Sequence, residues 1–233
     1  MKIKRLLNYF SPFEWSLWLT SLFVISLFFC LFDREGYLTL ISSYIGVTSL
    51  IFAAKGNPTG PALMIIFSVL YGIISYSFSY YSEMATYLGM TAPMSVIALV
   101  AWLKNPYGKS KAEVKVNKIS VKEGIFAIIL TAIVTIAFYF ILLALNNANL
   151  IPSTISVTTS FLAVYLTWRR SPYYALAYAA NDVILIILWI LATLEDISYL
   201  SVTVCFAVFL VNDLYGFIKW KQMEKKQSLP DEP

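Results

Sequence analysis

Eight long apolar stretches follow one another along the chain, each about 17–22 residues in length and with few charges inside it. A helix of about 20 apolar residues spans the ~30 Å hydrocarbon core of a bilayer. The pattern therefore predicts eight transmembrane helices, over residues 15–32, 37–54, 61–81, 87–103, 124–145, 151–167, 173–193 and 198–218.

The composition agrees with this assignment. Hydrophobic residues make up 59% of the chain and charged residues 13%, against roughly 45–50% and about 25% in soluble domains. Eight buried helices in a soluble protein of 233 residues would leave almost no polar surface. The sequence thus predicts an all-α integral membrane protein embedded in the lipid bilayer.

The basic residues predict the orientation of these helices. Of the 17 lysines and arginines, 16 lie in the N-terminal segment, in the second, fourth and sixth connections, or in the C-terminal tail; only Arg34 lies on the other side. Because cytoplasmic loops carry the excess of Lys and Arg, both termini are expected in the cytoplasm. The first apolar run ends in Phe29-Cys30-Leu31-Phe32 without a small-residue cleavage site, so we expect it to be retained as a helix.

Two polar segments and the missing residue types limit the possible chemistry. Residues 104–123 are expected to form a solvated cytoplasmic loop, and the tail over 222–233 is expected to be disordered. The chain contains no histidine and only two cysteines, which excludes hydrolase triads and histidine-built metal sites. No metal and no cofactor are expected, and no ATP-binding loop pattern is present.

Recurring features favour an internal duplication. Lys55-Gly56-Asn57-Pro58 precedes the third span and Arg169-Arg170-Ser171-Pro172 the seventh, 114 residues later; Trp102 and Trp220 close the fourth and eighth spans. Two three-helix units joined by one linker helix must face the same way, which is the parallel-repeat architecture of some transporters. The expected organisation is an N-terminal segment with an extra helix (1–36), a first unit (37–105), a loop and linker helix (106–150), a second unit (151–221) and a tail (222–233).

The most informative motif is a buried Asn-Asp pair that occurs twice. Asn181-Asp182 is followed by Trp189, and Asn212-Asp213 by Trp220, each tryptophan seven residues after its aspartate. An acid at mid-membrane costs roughly 2.5–3.5 kcal/mol on insertion scales, so it should face the bundle interior. Seven residues are about two helical turns, so acid and ring share a face. Such a face suits a ribose and a flat ring; a structural carboxylate at Asp182 and an interfacial Trp220 are the alternatives.

Further candidates flank this motif. Trp168-Arg169-Arg170 could attract anionic groups at the cytoplasmic mouth or form an ordinary positive-inside cluster. Tyr215 could join the polar cluster. The first unit is largely apolar at the positions that correspond to Asn181 and Asp182, and its plausible polar lining is Tyr71, Ser75 and Tyr76.

Taken in order, the basic turn 168–172, the two Asn-Asp motifs and the segment 55–60 resemble the PnuC family of bacterial vitamin transporters. The resemblance implies a SWEET-like fold, often trimeric, in the bacterial inner membrane, which carries nicotinamide riboside by facilitated diffusion before a separate kinase traps it. It also implies that Asn181, Asp182, Asn212 and Asp213 contact the ribose and amide, with Trp189 and Tyr215 as aromatic wall.

The function expected from the sequence is therefore uniport of nicotinamide riboside by a membrane protein that is not an enzyme. Its partners would be the small-molecule substrate, lipid and further copies in a homotrimer, and no nucleic acid. A related carrier of thiamine or riboflavin, an integral-membrane enzyme whose aspartates hold a metal, and a membrane scaffold are the alternatives.

Overall fold

The computed structural model describes residues 9–77, 81–108, 112–147 and 149–229. Over these ranges the regular secondary structure is helical, with no β-strand. These described residues form nine α-helices: α1 Pro12–Phe32, α2 Tyr37–Ala54, α3 Thr59–Ser77, α4 Tyr81–Thr86, α5 Ala92–Lys104, α6 Val121–Ala144, α7 Leu150–Trp168, α8 Tyr173–Thr193 and α9 Leu200–Gln227. A π-helical turn, Tyr87–Thr91, joins α4 to α5, and a 3₁₀ turn, Ile197–Tyr199, precedes α9.

In the part of the chain that the structure describes, eight helical segments are long and apolar enough to cross a membrane, which confirms the predicted all-α membrane fold with eight spans. The fourth span is longer than expected. It begins at Glu83 rather than Tyr87, because α4, the π-helical turn and α5 run on as one segment through Lys104.

The basic connections meet at one end of the bundle, which we call the basic end. There the amide of Val114 donates to Gly56 O (2.9 Å), and the amide of Asn117 donates to Arg170 O (3.0 Å). At the opposite end, the hydroxyl of Ser201 donates to Asp33 (3.4 Å). Alternate connections therefore lie at the same end, as the charge pattern predicts. That the basic end faces the cytoplasm stays a prediction.

One expectation for the basic end is wrong, and another holds only in part. Residues 104–123 are not simply a solvated loop, because Val114 is 0% exposed and packs in the core of this end. The tail is ordered beyond residue 222, since α9 continues to Gln227, whose side-chain amide donates to Glu113 (2.9 Å) and Val114 O (3.1 Å). Loop and helix end satisfy each other's polar groups, which hydropathy alone does not indicate. Residues 230–233 lie outside the described residues.

The turns that precede α3 and α8 have matching geometry. Gly56 and Arg170, 114 residues apart, both adopt positive φ, +64° and +57°. The backbone bonds around them also match at this offset: Gly56 N to Ala53 O and Arg170 N to Thr167 O, Asn57 N to Phe52 O and Ser171 N to Leu166 O, Gly60 N to Asn57 O and Tyr174 N to Ser171 O. The internal duplication and the unit boundaries stay a prediction, and this agreement supports it.

Candidate functional site

Two aspartates face each other inside the helical hairpin of α8 and α9. Asp182 and Asp213 are each 4% exposed, and their carboxyl groups interact directly. Oδ2 of Asp182 has no hydrogen-bond partner among the described residues. Burying an acid without a compensating partner is costly, so this acid pair has unused capacity to accept hydrogen bonds or a positive charge.

Asn181 points to a different neighbour from Asp182, because adjacent residues of an α-helix project about 100° apart. Its Oδ1 accepts from three hydroxyl groups of α7, those of Thr159 (2.9 Å), Ser160 (3.0 Å) and Ser156 (3.1 Å). The amide oxygen thus fastens α8 to α7.

Asn212 is likewise turned away from the acid pair and toward α1. Its side-chain amide donates to Ser21 Oγ (3.0 Å) and to Val208 O (2.9 Å). Its buried Oδ1 has no partner among the described residues. The N-terminal helix is therefore tied directly to the helix that carries Asp213.

Trp189 and Tyr71 lie together in the core on the opposite-end side of the acid pair. Trp189 follows Asp182 by seven residues, about 10 Å along α8. The ring centroids of Tyr71 and Trp189 are 6.4 Å apart, and those of Tyr71 and Tyr87 are 4.6 Å apart. The hydroxyl of Tyr71 interacts with the indole of Trp189. Helix α3 and the π-helical turn thus supply two phenol rings beside the tryptophan of α8.

The structure does not bring Trp168, Arg169 and Tyr215 to the acid pair. Arg169 forms an ion pair with Glu123, which raises the pKa of the guanidinium, and it lies over the ring of Trp168 (5.4 Å). Tyr215 donates to Glu14 (2.9 Å) at the basic end. Two residues along a helix turn the side chain by about 200°, so Tyr215 points away from the direction of Asp213.

A buried acid that the sequence analysis assigned to a connection lies at the start of the fourth span. Glu83 in α4 is 4% exposed, and its Oε2 has no hydrogen-bond partner among the described residues. It is close enough to interact electrostatically with both Tyr71 and Tyr87. The spacing of Glu83 and Tyr87, one helical turn, was the available signal, but the apolar window began only at Tyr87.

Glu14 is a second buried acid that the sequence analysis did not single out. Its carboxylate, 0% exposed, pairs with Lys55 (2.9 Å) and accepts from the amide of Ser11 (2.6 Å) as part of a capping box. With the bond from Tyr215, it ties the beginning of α1 to α2 and α9 at the basic end. The Ser11-to-Glu14 spacing before an apolar run is the sequence signature of such a cap.

A cavity of about 20 Å³ lies between the acid pair and the basic end, and Tyr178, Tyr174, Ser95 and Trp102 are part of its lining. This volume holds about one water molecule. This cavity is therefore too small for a nucleoside.

Eight apolar helices around a buried acid pair define a multi-pass integral membrane protein with a polar centre. The family model described as nicotinamide mononucleotide transporter matches residues 36–222, and the chain belongs to this family.

Individual relatives agree with the family assignment. The chain is 24% identical over 230 residues to the nicotinamide riboside transporter PnuC of Neisseria mucosa, with 97% of this chain and 87% of that protein covered. It is 21% identical over 216 residues to the protein of the same name from Haemophilus influenzae, with 92% of each covered. The fold is similar to a crystal structure of the vitamin B3 transporter PnuC, with a TM-score of 0.82, 22% identity and 94% of each chain covered.

Proposed function

We propose that this protein carries nicotinamide riboside across the bacterial inner membrane by facilitated diffusion, as a uniporter, and that phosphorylation in the cytoplasm then retains the solute. The observation that carries the proposal is the acid pair of Asp182 and Asp213, buried at the centre of the bundle with an unpartnered carboxylate oxygen. Family membership and the names of both relatives support it.

The charge of the site favours the riboside over the mononucleotide for which the family is described. Nicotinamide riboside carries a permanent positive charge on its pyridinium ring, whereas the mononucleotide adds a phosphate of about −1.5 to −2 charges. A buried carboxylate in the acid pair attracts the first and repels the second, and burial strengthens both interactions because the local dielectric is low. Among the described residues, the lysines and arginines that form ion pairs lie at the basic end. Their partners there are Glu14, Glu113, Glu123 and Glu224.

The proposed contacts divide between the two units. Asp182 and Asp213 accept the ribose hydroxyl groups, and Trp189 and Tyr71 flank the pyridinium ring. Asn181 and Asn212 position α7 and α1 through the bonds described above and offer their remaining amide atoms to the solute. Trp168, Arg169 and Tyr215 act at the basic end, where they lie, and not in the central site.

Thiamine is the alternative solute that the geometry favours over riboflavin, since it also carries a ring cation. It lacks the ribose diol, however, and a buried site built to bond hydroxyl groups rejects an analogue that leaves its acceptors unpaired. Of the riboside, thiamine and riboflavin, only the riboside carries both a ribose diol and a ring cation.

The remaining proposals concern orientation and assembly. We infer that both termini lie in the cytoplasm, that the protein catalyses no reaction, and that three copies associate. The lateral surface of α6 supports association, because only 17% of the residues in its most apolar stretch are buried within one chain. Lipid or a neighbouring copy must cover the rest of this surface.

Uptake by purified protein in liposomes tests the function. Labelled nicotinamide riboside should accumulate chemically unchanged, while the mononucleotide, thiamine and riboflavin should enter at the rate of empty liposomes. Preferred uptake of thiamine would reassign the solute. Chemical conversion without uptake would favour a membrane enzyme, and neither would indicate a scaffold.

A further inference from the structure

Glu83 and three aromatic side chains form a buried group in the half of the bundle away from the basic end. We propose that Glu83, Tyr71, Tyr87 and Trp189 form a recognition site for the positive charge of a pyridinium ring, with Glu83 as its specificity-determining residue. This inference rests on the proposed function, which it extends by a residue of the first unit.

The environment of Glu83 is unusual for an acid. It is 4% exposed, and among the described residues it takes part in no ion pair and its Oε2 accepts no hydrogen bond. A buried carboxylate normally has a cation or several donors beside it, because its desolvation is otherwise uncompensated. A ligand that brings a positive charge would provide that compensation.

Glu83 lies on a helix that contacts both of the predicted units. Helix α4 contacts α3 of its own unit and α7 of the other. Tyr87, one turn after Glu83, interacts electrostatically with Glu83 and also with Asp182. Tyr87 therefore links the environment of Glu83 to that of the acid pair.

The aromatic side chains provide the second component of a cation site. Tyr71 meets Tyr87 edge to face with centroids 4.6 Å apart, and Trp189 lies 6.4 Å from Tyr71. A cation over an aromatic face is attracted by the ring quadrupole, most strongly for tryptophan and in a desolvated site, and aromatic cages recognise quaternary nitrogen in this way. A flat cationic ring satisfies both the rings and the carboxylate.

The spacing agrees with a single solute that contacts both regions. Trp189 lies about 10 Å along α8 from Asp182, so a nucleoside with its ribose at the acid pair directs its ring toward Trp189. The same arrangement offers nothing to a neutral ring beyond stacking. Charge discrimination is therefore the property that Glu83 adds.

Binding measured by calorimetry on the full-length protein tests the inference with two ribosides. Nicotinamide riboside has the charged ring, and its reduced form has an uncharged dihydropyridine ring with the same ribose. The wild type should bind the charged form at least tenfold more tightly. Glu83→Gln should weaken binding of the charged form about tenfold and change binding of the reduced form less than twofold.

Glu195→Gln is the matched control, because it removes an exposed acid at the same end of the bundle. It should leave both affinities unchanged, and Glu83→Asp should retain the preference for the charged form. An equal effect of Glu83→Gln on both ribosides, or no effect on either, overturns the inference.

A competition experiment on the wild type keeps the inference testable if Glu83→Gln does not fold. Cationic 1-methylnicotinamide should displace the riboside at concentrations at least tenfold lower than neutral nicotinamide, and equal displacement overturns charge recognition. A wild type that binds neither riboside contradicts the proposed function itself. A wild type that transports the riboside but does not distinguish the charged ring contradicts only the role of Glu83.

Discussion

Trp102 and Trp220 lie against each other at the basic end, with ring centroids 5.2 Å apart, and each is hydrogen-bonded across the molecule. The indole of Trp102, at the end of α5, donates to Thr167 O near the end of α7 (2.9 Å). The indole of Trp220 in α9 donates to Ala53 O near the end of α2 (2.8 Å). Thr167 and Ala53 are 114 residues apart, so the two bonds are reciprocal under the predicted repeat.

Replacing either tryptophan by phenylalanine should weaken these contacts between the helix ends at the basic end. Trp102→Phe and Trp220→Phe keep an aromatic ring but remove the indole donor from a carbonyl that retains only its backbone hydrogen bond, at a net cost of about 0.5–1.5 kcal/mol. The thermal unfolding midpoint in detergent should fall by similar amounts in both variants. Trp168→Phe, at a partly exposed position, is the control and should change it less. Unchanged midpoints for both buried positions would show that the bonds do not hold the units together.

The acid pair should be essential for binding but not for folding. Asp182→Asn removes a charged acceptor, and we expect riboside affinity to fall 10- to 100-fold, since hydrogen bonds to charged groups contribute about 1.5–3 kcal/mol. Thermal stability should be unchanged or higher, because the variant relieves the contact between two acids. Calorimetry and thermal unfolding of the same sample measure both. Glu35→Gln, an exposed acid, is the control. Unaltered affinity would place the ribose elsewhere.

Uniport of a cationic solute should respond to membrane voltage. One elementary charge gains about 2.3 kcal/mol per 100 mV, which corresponds to an accumulation of about 50-fold. A potassium diffusion potential, inside negative, imposed on liposomes should drive riboside uptake to this ratio, and the opposite potential should prevent it. Accumulation that ignores voltage but follows an imposed pH gradient would indicate exchange for a proton at the acid pair and would contradict uniport.

Tyr215 should matter for stability and not for solute binding. Tyr215→Phe removes its bond to the buried carboxylate of Glu14, and we expect a loss of about 1.5–3 kcal/mol in unfolding free energy with riboside affinity unchanged within twofold. Glu14→Gln should destabilise more, because Lys55 then loses its charged partner. A tenfold loss of affinity in a folded Tyr215→Phe protein would restore the aromatic-wall role that the family resemblance implies.

The sequence predicts the spans well because a membrane span depends on mean hydropathy over about 20 residues, and single polar residues change that mean little. It also identifies Asp182 as a residue of the bundle interior, because an acid in the middle of such a span is unfavourable in contact with lipid. The alternating charge of the connections predicts which of them lie together, as the bonds from Val114 to Gly56 and from Asn117 to Arg170 confirm.

The hydrophobic pattern does not predict contacts between helices that are distant in the sequence. Adjacent Asn181 and Asp182 look like one unit in the sequence, yet the helix directs one to α7 and the other to α9. Trp220, considered for an interfacial position, is 0% exposed because Trp102 and Tyr174 enclose it. Glu83 fell in a predicted connection because the apolar window of the fourth span begins only at Tyr87, whereas the helix begins at Tyr81.

The π-helical turn Tyr87–Thr91 makes the length of the chain at this point as important as its residue types. Its hydrogen bonds reach five residues back, as from the amide of Ala92 to Tyr87 O, so the turn contains a residue more than an α-helical path would need. Deleting Gly89 would let an unbroken α-helix form and would rotate everything before it by about 100°. Glu83 would then swing out of the interior toward the acyl chains. Single-residue deletions here should therefore be selected against in evolution as strongly as the loss of the acid itself. Such deletions would hardly change the mean hydropathy of the span.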